Sequence, residues 1–500
     1  MPPSAKKQKQ EAPSAGAPRV GAFVNYLNAA ISNFHCVAEI KRILTAAGFS
    51  ELDTSKAWAL SKGGKYFFTK AGTAIVAFAV GGKYDPDTSG AIIVGAHTDS
   101  PCLKLKPVSK LEKSESVLLG VVGYGGGLWH TWFDRDLSVA GRVLVKGSDG
   151  KTTAKLVKIP KPIARISNLA IHLLTADERS SQGFKPSLQN HAPPILATTL
   201  QKALWETTVP PSAAGTKNGG ASPQASARNH PLLIKLIADE LKVDAAAIED
   251  FELQLIDMQP ACVGGALDEF VYSGRLDNQC SCFQGIAALV ESIPSLASDS
   301  SVRCVALFDH EEVGSCSAMG AEGPLMNDTL NRISAGLAAG SPSASADPNA
   351  AAFRARSFHL STDMAHAVHP NYSDRHDGEH GPKLGQGLVI KHNANQRYAT
   401  TSVSATMVRR FGALAGEVIQ EFAVKADSAC GSTIGPIISA GTGVRTCDVG
   451  VPQLSMHSIR EVMHVDDVDK GTNVLKAAFE NYSKVYAEVA ADEVVCPACE

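Results

Sequence analysis

Ala91-Ile92-Ile93-Val94-Gly95-Ala96-His97-Thr98-Asp99 is an apolar, β-branched run that ends in an imidazole and a carboxylate. A run of this kind reads as a strand buried on both faces, as in a sheet covered by helices. In an open α/β sheet, chemistry gathers beyond the carboxyl ends of the strands, so a His-Thr-Asp ending there is a candidate site. Four later stretches repeat the pattern: Val271 to Asn278, with Asp277; Arg303 to Glu312, with adjacent Glu311 and Glu312; Ser357 to Asp363; and Pro452 to Ser458, with His457.

Imidazoles and carboxylates together suit zinc, and two ions held close together can clamp the attacking and developing oxygens of a hydrolysis. A bridge between them needs a carboxylate, and Asp277 sits where a strand meets a helix expected over 278–293. Taken alone, Asp277 reads more readily as a helix N-cap than as a metal bridge. His97 and Asp99 share one face of an extended segment, so Asp99 is expected to hold the second nitrogen of His97. Glu311 and Glu312 could divide the work of ligand and proton acceptor if the backbone turns after the strand; a solvated acidic turn is the alternative. The sequence holds no His-Glu-x-x-His, no Gly-x-Ser-x-Gly and no P-loop, which removes the single-helix zinc proteases and the commonest serine-hydrolase and nucleotide-binding classes.

The 500 residues exceed what one core usually supports, and two domains are expected. Apolar residues make up 44% and charged residues 19%, an ordinary globular balance. A net charge of −3 gives no field that would draw nucleic acid or an anionic membrane. No stretch reaches the roughly 20 apolar residues that span a bilayer, so a soluble protein is expected. Eleven cysteines, an odd number and mostly inside apolar or motif segments, suit a reduced, cytoplasmic setting. The pair Cys496 and Cys499 reads as part of a solvated tail.

The long interval between His97 and Asp277 has room for an inserted domain. Val117 to Val122 and Gly141 to Val145 read as strands there, and Leu232 to Leu241 as a helix. The expected organisation is a disordered tail over 1–19, a catalytic domain over 20–106 and 257–489, a mainly β insert over 107–256, and a tail over 490–500. Loops rich in Ala, Ser, Gly and Pro are expected over 210–229 and 334–352. The fold class is α/β, a mixed sheet flanked by helices, with the insert as a second, dimerising unit.

GAHTDSPCLKLKP from Gly95, SGRLDNQCSCF from Ser273, FDHEEVGSCSAMGA from Phe308, STDMAHAVHPNY from Ser361, KHNANQRYAT from Lys391, CGSTIGP from Cys430 and PQLSMHSIRE from Pro452 run in one order over nearly the whole chain. Together they resemble the aspartyl aminopeptidase family of dizinc metallopeptidases. The resemblance implies that Asp277 bridges two Zn²⁺ ions per subunit, with His97 and Asp363 completing one site and Glu312 and His457 the other. Mn²⁺ or Co²⁺ could replace zinc at such sites. Glu311 would be the general base, assisted by Asp99. Lys391, which alone would read as a surface lysine, would meet the acidic side chain of an N-terminal Asp or Glu. His366 and Tyr398 would line the same pocket, with Glu311 and Asp363 also touching substrate.

His172, alone on an apolar run, would otherwise read as a core histidine; the resemblance implies that it reaches a neighbouring subunit's site. It also implies dimers assembled into a dodecamer, with the insert as the dimerisation domain. The activity implied is removal of N-terminal Asp or Glu from peptides. A dizinc aminopeptidase or deacylase of broader specificity is the alternative, and an inactive assembly protein is a more distant one.

Overall fold

The computed structural model describes residues 18–180, 184–208, 225–338 and 349–489. Most of the 1–19 tail, most of both low-complexity loops and all of 490–500, including Cys496 and Cys499, lie outside them.

A nine-stranded mixed sheet forms the centre. Its order is 50–51, 65–70, 74–80, 302–308, 91–97, 358–362, 445–450, 389–392 and 420–423. Strand Ala91–His97 lies in the middle, parallel to Val302–Phe308 on one side and to Phe358–Thr362 on the other; Arg445–Gly450 continues the parallel set. All seven residues of Ala91–His97 are buried, as its unbroken apolar run requires.

Side chains alternate across such a strand, so it feeds two cores. Ile92, Val94 and Ala96 face the layer made by Val20–Ala29, Asn33–Ala46, Leu276–Ser292, Ser402–Ala415 and Val465–Glu488. Ala91 and Ile93 face Leu325–Ala338 and Ile434–Thr442. Each fully buried Ile or Val side chain contributes about 1.5–3 kcal/mol, so the sheet centre is a rigid platform for whatever extends from its ends.

A second, antiparallel sheet of six strands takes the order 152–158, 137–146, 248–257, 102–113, 116–124 and 195–198. It has its own core, built around Leu119, Val139, Val143, Leu233, Ile237 and Leu255. Its first strand begins at Cys102, ahead of the break expected at 107, because Cys102 and Leu103 are already packed in this second core.

A third, five-stranded sheet joins Cys262–Gly264, Phe270–Ser273, Glu461–His464, Pro452–Leu454 and Ala365–His366. Two of the five ligand-bearing runs, those leading to Asp277 and His457, therefore belong to this sheet and not to the central one.

The run Leu276–Ser298 is long and apolar enough by composition to cross a membrane, contrary to the expectation from sequence. It is mostly buried and packs against the central sheet and the helix Val465–Glu488. Three of its uncharged polar residues, Asn278, Gln279 and Gln284, donate from their side-chain amides to backbone carbonyls inside the protein.

Candidate metal and peptide site

The carboxyl ends of three neighbouring parallel strands deliver His97, the Glu311–Glu312 turn and Asp363 to one place. After Phe308 the chain turns sharply: His310 has φ 66°, and a short 3-10 turn over Glu311–Val313 follows. This turn lets two adjacent glutamates face one site, which a continuing strand would forbid.

Asp277 arrives from the start of Leu276–Ser292, behind Arg275 in the left-handed region at φ 64°. Its own backbone is not helical, and the Asp277–Asn278 peptide is cis. The carboxylate does not cap the helix. Side chains one turn on tie this helix to the strand ends: Asn278 Nδ2 donates to Thr362 O at 2.8 Å, Gln279 Nε2 to Thr98 O at 2.6 Å, and the Cys282 thiol to His97 O at 3.0 Å.

His97 Nε2 lies 3.3 Å from Asp277 Oδ1 and 3.6 Å from Asp363 Oδ1. His457 Nε2 lies 3.3 Å from Asp277 Oδ2 and 3.4 Å from Glu312 Oε2. The two oxygens of Asp277 thus face two different imidazoles, with a separate carboxylate beyond each. Glu311 Oε2 is 3.9 Å from His97 Nε2, and donor atoms of His97, Glu311 and Asp363 fall within 4.8 Å of one another, as do those of His97, Asp277 and Glu312.

The remaining imidazole nitrogens point to carbonyls. His457 Nδ1 is 2.9 Å from Gly126 O, which fixes a proton on Nδ1 and leaves Nε2 free as a ligand. His97 Nδ1 is 3.1 Å from the carbonyl of Asp99, whereas the Asp99 carboxylate is 3.4 Å away. That differs from the expected role of this carboxylate. Its oxygens instead accept from the backbone N–H of Glu311 at 3.2 Å, the N–H of Glu312 at 3.1 Å, and the Tyr124 hydroxyl at 2.7 Å.

The electrostatics call for cations. Burial pushes Glu311 up to about 8, with Asp363, Asp277 and Asp99 adding to the effect and His97 opposing it. Burial and the Asp277 charge hold Glu312 well above the usual carboxylate range. Burial alone would lower His457, but the Asp277 and Glu312 carboxylates outweigh it and carry it up to about 10. In this crowd of carboxylates, Glu311, Glu312 and His457 hold their protons more tightly than usual unless another positive charge takes their place. Among the described residues, no hydrogen bond reaches the buried Asp277 Oδ1, Glu312 Oε1 or Asp363 Oδ1. Unpaired buried carboxylate oxygens converging beside imidazoles fit divalent metal ions of the zinc class.

The sequence model of the Aminopeptidase I zinc metalloprotease family (M18) matches residues 26–479. The chain belongs to this M18 family. A probable aspartyl aminopeptidase of Ricinus communis is 44% identical over 498 residues, spanning 97% of this chain and 99% of its own. The aspartyl aminopeptidase of Dictyostelium discoideum is 44% identical over 476 residues, 94% of this chain and 97% of its own. Among solved structures, mature Ape1 (mApe1) of Chaetomium thermophilum is 34% identical at a TM-score of 0.82, over 94% of this chain and 99% of that one. The mApe1 dodecamer of S. cerevisiae is 25% identical at a TM-score of 0.80, covering 95% and 99%.

In this M18 chain a cavity of about 470 Å³ opens beside the cluster. Asp277, Glu311, Glu312, Asp363 and His457 line it, together with His366, Lys391 and Tyr398. Lys391 is no surface residue: it is 2% exposed, its Nζ is 3.5 Å from Asp363 Oδ2, and it lies 5.4 Å from the centre of the Tyr398 ring. His366 is exposed at the mouth and packs edge-on against Phe422.

His172 does not line this cavity in its own chain. It sits in a short exposed turn, Ile171–Leu173, flanked by Leu169, Ile171 and Leu173 at 54%, 65% and 69% exposure, so it is not a core histidine.

Two residues of the surroundings carry no signal in the sequence read alone. Tyr124 comes from the antiparallel sheet. Glu461, 1% exposed, accepts from the N–H groups of Asp277 at 3.2 Å and His457 at 2.8 Å. Tyr124 acts on the Asp99 carboxylate from another sheet, and Glu461 joins the backbone of His457, four residues away, to that of Asp277, 184 residues away, a link that no local spacing reveals.

Proposed function

We propose that this chain is a dizinc aminopeptidase that removes N-terminal Asp or Glu from peptides. The observation that carries the reading is Lys391, a buried ammonium that lines the same cavity as the carboxylate–imidazole cluster and lies 3.5 Å from Asp363 Oδ2. A buried cation there favours an acidic side chain through charge complementarity, which an apolar pocket cannot supply. The relatives named aspartyl aminopeptidases support it.

His97 and Asp363 would hold one ion, Glu312 and His457 the other, and Asp277 both. Zinc supplies Lewis acidity that polarises the scissile carbonyl and acidifies water. Glu311, on its sharp turn, takes the proton of the attacking water and delivers it to the leaving amine. Burial around Glu311 raises its proton affinity, which suits a group that must first accept and then donate. Asp99 holds the Glu311–Glu312 turn through both N–H groups. The relatives named aspartyl aminopeptidases support an exopeptidase reading, in which cleavage is confined to the N-terminal residue.

The chain is further proposed to assemble through its insert into dimers and a dodecamer, with His172 entering a neighbour's site. The exposed leucines and isoleucine around His172 and the dodecamer of the S. cerevisiae relative support this. A cytoplasmic location is proposed on the nine described cysteines, all free and mostly buried.

Peptides differing only in N-terminal Asp, Glu, Leu or Lys, assayed on zinc-loaded enzyme with metal content measured in parallel, test the reading. Fast cleavage of Asp and Glu alone is expected. Equal rates on Leu would favour the broader-specificity alternative, and a metal-loaded but inactive protein would overturn the enzymatic assignment.

A further inference from the structure

The geometry points to Tyr124 as a positioning residue through which the antiparallel insert sets the catalytic glutamates. The inference rests on Glu311 and Glu312 serving as base and ligand. Tyr124 ends the strand Ser116–Tyr124, so it belongs to the insert by chain and by sheet. Its hydroxyl donates to Asp99 Oδ2 at 2.7 Å, and the same oxygen accepts from the Glu312 N–H. The other oxygen accepts from the Glu311 N–H.

The buried Asp99 carboxylate could rotate about its side-chain bond if held only from the Glu311–Glu312 side. A third donor from a separate rigid sheet fixes its plane, and with it the turn that aims both glutamates. Tyr124 is itself fixed: Lys104 Nζ, on the neighbouring strand, lies 3.7 Å from its ring centre. A cation on the ring face pins it and strengthens its hydroxyl as a donor.

The next residues of the insert reach the other half of the cluster. Gly125, at φ 75°, runs so close to Glu312 that a Cβ there would sit 3.1 Å from the Glu312 Cβ. Gly126 O holds His457 Nδ1, and Leu128 N donates to His457 O at 2.9 Å. Three consecutive insert residues therefore contact the surroundings of Asp99, Glu312 and His457. Tyr124 is the one whose side chain does so, and the one a substitution can remove without altering the backbone.

Tyr124→Phe in the full assembled enzyme tests this, because it keeps the ring under Lys104 and deletes only the hydroxyl. Loss of one hydrogen bond to a charged group is expected to lower kcat about tenfold to a hundredfold, with KM changed less than about twofold. Zinc should also leave faster to a chelator, while oligomeric state and Tm stay near wild type. The same zinc-release assay on Asp99→Asn and on the double variant completes the cycle: if Tyr124 acts through Asp99, the second substitution adds little to the first.

Gly125→Ala, which leaves the hydroxyl in place but crowds Glu312, should lower zinc retention by itself. Wild-type kcat and zinc retention in Tyr124→Phe, or fully additive effects with Asp99→Asn, would overturn the inference. An inactive zinc-loaded wild type would instead overturn the proposed function, so the two failures are distinguishable.

Discussion

Replacing Lys391 by Met removes one charge and little volume from the cavity lining. The ammonium is 2% exposed, so a substrate carboxylate that reaches it has left water, and without its partner that carboxylate is buried unpaired. Truncating one member of a buried charge pair costs about 2–5 kcal/mol. At about 1.4 kcal/mol per decade, kcat/KM for N-terminal Asp and Glu is expected to fall roughly 30-fold to several thousandfold. Lys391 also lies 3.5 Å from Asp363 Oδ2, so its removal strips a counter-charge from a proposed ligand whatever the substrate. That common loss cancels in the ratio of acidic to neutral substrates. The assay is therefore kcat/KM for matched Asp and Leu peptides on wild type and variant. A collapse of the Asp/Leu ratio by at least tenfold is expected. An unchanged ratio, with both rates falling together, would refute the assignment of selectivity to this lysine.

Glu311→Gln is expected to lower kcat by about 10²–10⁴-fold while two metals per subunit remain, as a lost general base should; metal analysis beside the rate distinguishes base from ligand. Loading the metal-free protein with zinc at pH 7 should release protons, because Glu311, held near 8, and His457, held near 10, carry them until a metal displaces them. Zinc affinity should accordingly rise with pH through 8 and towards 10, and calorimetry in buffers of different ionisation enthalpy measures it; pH-independent affinity would contradict the raised proton affinities. Gly450→Ala would place a Cβ 1.7 Å from the carbonyl oxygen of Asp363, backbone that cannot step aside, so the variant should lose Tm and zinc together; thermal melts with metal analysis check it.

The central strand and the residues at its end could be read from the sequence because an apolar run and its polar terminus are local facts. The same holds for Glu311, Glu312 and Asp363, which sit where buried strands stop. The segments of Asp277 and His457 were legible as strands, but their separate five-stranded sheet was not, since pairing such as Phe270 with His464 depends on partners far along the chain. The Asp99 carboxylate illustrates the limit. Spacing places it beside His97, yet two of its hydrogen bonds come from a turn 212 and 213 residues further along the chain. Tyr124 and Glu461 escaped because their partners, Asp99 and the Asp277 N–H, belong to other elements of the fold. The exposure of His172 could not be foreseen, because an apolar run reads as core whether it packs inside its own chain or awaits another surface.

The helix that carries Asp277 is strapped to strand ends on both sides of it, and the last imidazole, His457, follows only after most of the chain. During synthesis at about 5–20 residues per second, roughly 20 to 70 seconds separate the emergence of His97 from that of His457. No shorter nascent fragment holds both imidazoles that face Asp277. A ribosome-bound chain therefore has no complete catalytic centre with which to trim acidic N-termini on the polysome, and the onset of activity is timed by the order in which the gene is read.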